Sequence, residues 1–174
     1  MNEVIQSLIQ VVGTDNVLWH DADLLVYEYD GSVDRGTPVI VVLPETTQEV
    51  SEIVKISRAN SLPVVARGAG TGLSGGAIAE HGGGVIAMSR MSKIIEINDR
   101  DRYAVVQPGV VNLDLSVKTA PHGLYYVPDP SSQRACTIGG NIAENSGGPH
   151  CLAYGVTTNH VLGMEVVLSD GTIT

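Results

Sequence analysis

The chain has no phenylalanine, and its 4% aromatic content is carried by six tyrosines and one tryptophan. Its core must therefore be built from Val, Ile, Leu and Ala. Basic residues are also scarce, with ten Lys and Arg against 19 Asp and Glu and a formal net charge of −9. That balance excludes a nucleic-acid partner, because binding a phosphate backbone requires a basic face. No apolar run approaches the roughly 20 residues that cross a bilayer, and Met1-Asn2-Glu3 opens no secretory signal, so no transmembrane segment is expected. The only cysteines, Cys136 and Cys151, have neither metal-ligand spacing nor a disulfide framework. A reducing, cytoplasmic setting and no metal site are the expectations. At 174 residues, 43% hydrophobic and 17% charged, the composition is globular and the length suits one domain with a core.

Glycine, by contrast, is plentiful. Pro63 to Gly76 reads Pro-Val-Val-Ala-Arg-Gly-Ala-Gly-Thr-Gly-Leu-Ser-Gly-Gly, a short apolar strand running into a loop with five glycines between Arg67 and Gly76. Glycine permits positive φ and lets a ligand approach the backbone, so several N–H groups can turn toward one anion. Because each ordered glycine costs conformational entropy, such density requires a reason, and a phosphate-bearing ligand supplies one.

Upstream, Val4, Ile5, Leu8, Ile9 and Val12 recur at helical spacing and Gly13 is a natural stop. Asp21 to Asp34 is polar and turn-rich, with a turn at Asp30-Gly31-Ser32. Pro38 to Leu43 predicts a strand buried on both faces. Thr46 and Glu49 form a capping-box signature for a helix whose inward stripe is Val50, Ile53 and Val54. With Val64-Val65-Ala66 as the next strand, residues 38 to 67 make a β-α-β unit. Further strands are predicted at Val85–Met88, Ile94–Ile97 and Tyr103–Val106, then a modest helix from Asn112 ending near Gly123. A second loop is expected from Val127 to Gly148. The tail Gly163–Leu168 reads as a strand leading into a hairpin turn at Asp170-Gly171. A return strand of three residues suggests a fragment of a longer protein.

Gly70-Thr-Gly72-Leu-Ser-Gly75 matches the dinucleotide fingerprint G-x-G-x-x-G and follows a strand. A fingerprint of that type opens a helix, whereas Gly76-Ala-Ile-Ala-Glu-His-Gly-Gly-Gly84 is too short and too glycine-rich to form one. No Gly-Lys-Ser/Thr ends the loop, which excludes a P-loop. The anion is thus left to the loop backbone, aided by Arg67 unless that side chain instead anchors the loop to a nearby carboxylate. The segment from Asp129 to Gly148 is polar, low in charge and small in side-chain volume, and paired with the first loop it suits a large, extended cofactor.

Arg67-Gly-Ala-Gly-Thr-Gly together with Asp129-Pro-Ser-Ser…Cys-Thr-Ile-Gly-Gly-Asn-Ile-Ala-Glu-Asn-Ser-Gly-Gly resembles the FAD-binding domain of the vanillyl-alcohol-oxidase type flavoproteins, the PCMH-type domain. Within that superfamily it is most similar to the FAD-linked subunits of the glycolate oxidase and D-lactate dehydrogenase group. Val106-Gln-Pro-Gly-Val110, Pro121 to Pro130, His150-Cys-Leu-Ala-Tyr-Gly155 and Leu162-Gly-Met-Glu-Val-Val167 extend the match. The resemblance implies an α+β fold, with a small β-α-β subdomain followed by a larger mixed or antiparallel sheet flanked by helices. Residues 1–36 would be a helical and extended lead-in. Residues 37–174 would be the FAD-binding domain, incomplete at its C-terminus and without its substrate or cap domain.

For the site, the resemblance implies that Arg67, Gly68, Ala69, Gly70, Thr71 and Gly72 wrap the FAD pyrophosphate, with Ser74 and Gly75 nearby. The second loop would line the flavin ring and ribityl chain through Asp129, Pro130, Ser131, Ser132, Thr137, Gly139, Gly140, Asn141, Ala143 and Gly147. Gly109 and Val161 would lie beside the cofactor. Relatives that bond FAD covalently often place a histidine where this chain has Thr71, so FAD is expected to be non-covalent. The implied activity is hydride transfer from the Cα of a small 2-hydroxy acid to flavin N5. Partner subunits carrying flavin or iron–sulfur centres are implied, with location in the cytoplasm or peripheral to the inner membrane through them. The substrate carboxylate and hydroxyl proton are handled largely by the cap domain in this family, so no catalytic residue is assigned within the chain.

Two other readings stay open: a same-fold oxidase for an alcohol, phenol or lactone, and a structural module without bound FAD. His122 and His150 read as ordinary turn histidines and Cys136 as a small buried residue. Asp21, Asp23, Glu28, Asp30 and Asp34 read as a solvated acidic face. Asn141 and Asn145 suit either helix and turn geometry or cofactor contact.

Overall fold

The computed structural model describes residues 1–174 as two compact units, Met1–Arg90 with Glu165–Thr174, and Met91–Met164. In the first unit the apolar spacing near the N-terminus produces helix α1 (Asn2–Val12), which buries Val4, Ile5, Leu8 and Val12 along one face. Gly13 ends it at φ +85°, its N–H donating to the Ile9 carbonyl at 2.8 Å. Strand β1 (Val17–Leu18) follows, so the lead-in expected at residues 1–36 contributes a helix and a strand to this unit. Helix α2 (Asp21–Leu24) occupies part of the stretch read as turn-rich.

Strand β2 (Ile40–Val42) is fully buried. Helix α3 (Thr47–Ala59) begins with the predicted capping box, in which Glu49 N–H donates to Thr46 Oγ1 and Thr46 N–H to Glu49 Oε2. Strands β3 (Val64–Arg67) and β4 (Gly84–Ala87) complete a four-stranded mixed sheet of order β1-β2-β4-β3, antiparallel only at β1–β2. The β-α-β unit is present, but β2 and β3 are not neighbours. Strand β4, read from the sequence only as the first of three successive strands, runs parallel between β2 and β3. Gly84 suits that slot, since a Cβ there would meet Ile40 Cγ2 and Val64 Cγ1 at 3.3 Å each.

Strand alternation divides the core. Ile40, Val42 and Ile86 pack with Val17, with Val4, Ile5, Leu8 and Val12 of α1 and with Ile53 of α3, while Val41, Val85 and Ala87 pack with Leu24 and Ala79. Covering both faces is what makes β2 a continuous apolar run. Each fully buried Leu or Ile here stabilises the fold by roughly 1.5–3 kcal/mol. The C-terminal hairpin also belongs to this unit. Its pairing is confined to Val166–Leu168 with Thr172–Thr174, shorter than the strand predicted from Gly163. Its turn is fastened by Ser51 Oγ, which donates to the Gly171 carbonyl at 2.5 Å.

In the second unit, β5 (Ile94–Asn98) and β6 (Tyr103–Val106) form an antiparallel pair. Helix α4 (Asn112–Thr119) matches expectation, and Gly123 at φ +69° closes the turn after it. Inside the segment predicted to be a loop lies helix α5 (Ile138–Glu144), capped by Thr137 and ended by Asn145 at φ +49°. A short α6 (Cys151–Tyr154) and a single turn at Thr157–His160 follow. Val110, Leu115 and Ile138 form the core, with Ile94, Ala104, Val106, Tyr126 and Ile142 packed around it. The fold class is α+β, as the resemblance implied.

Candidate functional site

Arg67 ends β3 and is buried, with 7% of its surface exposed. Its Nη2 donates to the Val26 carbonyl at 3.3 Å, and the guanidinium lies 5.6 Å from the centre of the Tyr27 ring. Burial lowers the Arg67 pKa, opposed by the negative charge of Asp30 and by Tyr27 and Tyr29. Guanidinium has so high an intrinsic pKa that it stays cationic regardless. Burial likewise raises the pKa of Tyr27, against the pull of Arg67. Arg67 Nη1 is buried with no hydrogen-bond partner. An unpaired buried donor on a cation is costly, and an anion beside it removes the cost.

The loop beyond Arg67 runs without regular structure to β4. Gly70 adopts φ +68°, and a Cβ there would overlap the Arg67 guanidinium, so only glycine lets the side chain lie against the loop. The N–H groups of Ala69, Gly70 and Thr71 have no acceptor in the protein. Gly68, Thr71 and Gly72 are half-buried, Ala69 and Ser74 are exposed, and Gly75 turns at φ +75°. The result is a cationic side chain with a spare donor beside a run of free backbone donors. Its chemistry is anion binding.

The second glycine segment is built differently. Asn112, 1% exposed, donates through Nδ2 to the Pro128 carbonyl at 2.9 Å and to Asn141 Oδ1 at 2.8 Å. Asn141, equally buried, donates to Cys136 Sγ at 3.3 Å. Thr137 Oγ1 accepts from Gly140 N–H, giving α5 its N-terminal cap. Gly139 donates to the Pro108 carbonyl at 2.8 Å, and its missing Cβ lets α5 approach the Gln-Pro-Gly turn, whose Gly109 N–H donates to the Met91 carbonyl at 2.7 Å. A Cβ on Gly148 would overlap the Asp129 carbonyl, and one on Gly147 would sit 2.5 Å from Cys151 Sγ.

Thr137, Gly140 and Asn141 are thus joined by the hydrogen bonds around the buried Asn112–Asn141 pair, while Gly139 packs against Pro108. The half-buried Asp129 lies against Gly148 and His150, with Pro130 buried and Ser132 half-buried beside it in the chain. Ser131 and Ala143 are exposed, and Val161 is half-buried just past the turn at Thr157–His160. Asp129 Oδ2 lies 2.7 Å from His150 Nδ1, while its Oδ1 is buried without a partner. His122 pairs with Asp99 at 3.2 Å.

Sequence reasoning allowed a nearby carboxylate as an anchor for Arg67 but did not identify it. Asp30, read as part of a solvated acidic face, is 8% exposed, because its carboxylate caps the turn by accepting from Ser32 N–H at 2.7 Å and sits in the field of Arg67. The Asp30-Gly31-Ser32 turn was visible in the sequence, but its contact with the glycine loop was not.

Residues 38–174 match the sequence model of the FAD binding domain family. The chain belongs to that family. Glycolate oxidase subunit GlcD of Escherichia coli is 48% identical over 169 residues, covering 97% of this chain and 34% of the relative. D-lactate dehydrogenase of Archaeoglobus fulgidus is 42% identical over 134 residues, covering 77% and 30%. The chain thus spans about a third of the length of these curated relatives. Among solved structures, p-cresol methylhydroxylase with substrate bound superposes with a TM-score of 0.87 at 25% identity, over 99% of this chain and 34% of that one. This FAD-binding domain is PCMH-type and closely related to the glycolate oxidase and D-lactate dehydrogenase subunits.

FAD is its cofactor, and the first loop fits that group: the unpaired Arg67 Nη1 and the free N–H groups of Ala69 to Thr71 match a pyrophosphate. No His, Cys or Tyr lies between Arg67 and Gly76 to bond a flavin, in keeping with non-covalent FAD. No helix is long and apolar enough to cross a membrane.

Proposed function

We propose that this chain is the FAD-binding portion of a flavin-dependent 2-hydroxy-acid dehydrogenase of the glycolate oxidase and D-lactate dehydrogenase class. The observation that carries the binding half is the buried, unpaired Arg67 Nη1 beside backbone donors that have no acceptor. The substrate half rests on the printed names of the relatives, since glycolate and lactate are both 2-hydroxy acids. Bound FAD supplies a hydride acceptor at flavin N5 for the Cα hydrogen of the hydroxy acid.

The chain's own residues bind and orient. Arg67 through Gly72, with Ser74 and Gly75, hold the pyrophosphate. Asp129 to Ser132, Thr137, Gly139, Gly140, Asn141, Ala143 and Gly147 line the flavin and ribityl chain, with Gly109 and Val161 beside it. Asn112 holds Asn141 and Pro128 in place by direct hydrogen bonds. Residues 37–174 constitute the FAD-binding domain. The groups that hold the substrate carboxylate and remove the hydroxyl proton belong to the cap domain, outside these residues, and the full-length protein works with partner subunits carrying flavin or iron–sulfur centres. The working location is the cytoplasm, at a membrane only through such partners.

Two measurements test the reading. Adding FAD to the purified, flavin-free full-length protein should produce flavin absorbance that survives gel filtration and is released by acid precipitation. Turnover should favour 2-hydroxy acids in a panel that includes phenols, primary alcohols and aldonolactones. Retention of yellow colour in the acid pellet overturns non-covalent binding, and a preference for phenols or lactones overturns the substrate class.

A further inference from the structure

The residues that hold the back of the glycine loop come from the chain before Pro38, outside the stretch matched by the family model. Gly31 N–H donates to the Gly72 carbonyl at 3.0 Å, and a Cβ on Gly31 would lie 2.8 Å from that oxygen and 2.9 Å from the Thr71 oxygen. Both carbonyls therefore face Gly31. Across a planar trans peptide the N–H points opposite to the C=O. The N–H groups of Gly72 and Leu73, which share peptides with those carbonyls, are thus turned to the far side. The same segment supplies the Val26 carbonyl and the Tyr27 ring that fix the Arg67 guanidinium.

We propose that Val26–Asp34 sets the donor geometry of the FAD pyrophosphate loop, with Gly31 and Tyr27 as its positioning residues. The inference rests on the FAD reading above and adds a determinant of affinity that touches the loop rather than the cofactor. Gly31 fixes which way the Thr71–Gly72 and Gly72–Leu73 peptides face, at the end of the donor run from Ala69 to Thr71, and Tyr27 is the platform on which Arg67 rests. FAD, by occupying the loop, in turn fastens this segment down.

The test uses flavin-stripped full-length protein, titrated with FAD by fluorescence quenching, with the melting temperature of each apo variant recorded. Gly31→Val, which pushes on the Thr71 and Gly72 carbonyls, should raise the Kd for FAD about tenfold or more. Tyr27→Leu should raise it about fivefold, while Tyr27→Phe, which keeps the ring under Arg67, stays within about twofold of wild type. Val33→Ala, at a residue 97% exposed, is the control and should change nothing. Independently, FAD should slow tryptic cleavage after Arg35, whose side chain is 72% exposed.

A Kd within about twofold of wild type in both Gly31→Val and Tyr27→Leu overturns the proposal. Should Gly31→Val fail to fold, Tyr27→Leu and the Arg35 cleavage rate decide, and equal cleavage with and without FAD overturns it. Failure of wild-type protein to take up FAD at all sinks the functional reading and this inference together. Normal wild-type binding with unaffected variants sinks this inference alone.

Discussion

Between Arg67 and Gly76, glycine leaves the backbone open: Gly70 turns at φ +68°, and the neighbouring N–H groups find no acceptor in the protein. Between Asp129 and Gly148, glycine brings groups together, with Gly139 against Pro108 and Gly148 against Asp129. That segment meets most of its own polar needs through the Asn112–Asn141 pair, the Thr137 cap and the left-handed Asn145. Glycine density alone marks neither use. What separates them is where the backbone hydrogen bonds go, and that decides whether a substitution costs stability or binding.

Substitutions in the second segment should therefore strike stability first. Asn112→Ala strands Asn141 Oδ1 and the Pro128 carbonyl in the interior, and should cost about 3 kcal/mol in a urea unfolding titration. Gly148→Ala forces the Asp129 backbone to move and should cost about 2 kcal/mol. Thr137→Ala removes only the cap on a helix whose other contacts remain, and about 1 kcal/mol is expected, read as a lower thermal midpoint. In the first loop, Leu73→Ser alters a side chain 78% exposed, and stability should stay within about 0.5 kcal/mol of wild type. A large loss for Leu73→Ser, or none for Asn112→Ala, would erase the distinction between the segments.

Much of the architecture was legible where local chemistry dictates it. The spacing of Val4, Ile5, Leu8 and Val12 and the Thr46–Glu49 pair each point to one answer, and the structure contains both helices. The absence of a helix after Gly76 followed from its glycines. Helix α5 was hidden because Gly139 and Gly140 argue against helix on propensity, while Thr137 and contact with Pro108 overrule them. The place of β4 was hidden for another reason: β2, β3 and β4 are similar short apolar runs, and nothing local says which pair meets. Of the candidate site, the loop itself was visible. The partners of Arg67 were not, since Tyr27 and Asp30 lie far from it in sequence and Asp30 sits among other acidic residues.

The sheet order also bears on how the molecule assembles. Strands β2 and β3 are never paired and are joined only through β4 between them, and β4 arrives only after the chain has passed through residues 68–83. The glycine loop must therefore close before β3 has any partner, and closing a flexible loop costs entropy before the new ladder offsets it. Pulsed hydrogen exchange during refolding should find β3 amides protected no earlier than those of β4. The stretch that offers its donors to a ligand is thus also the hinge on which the last strand swings into place.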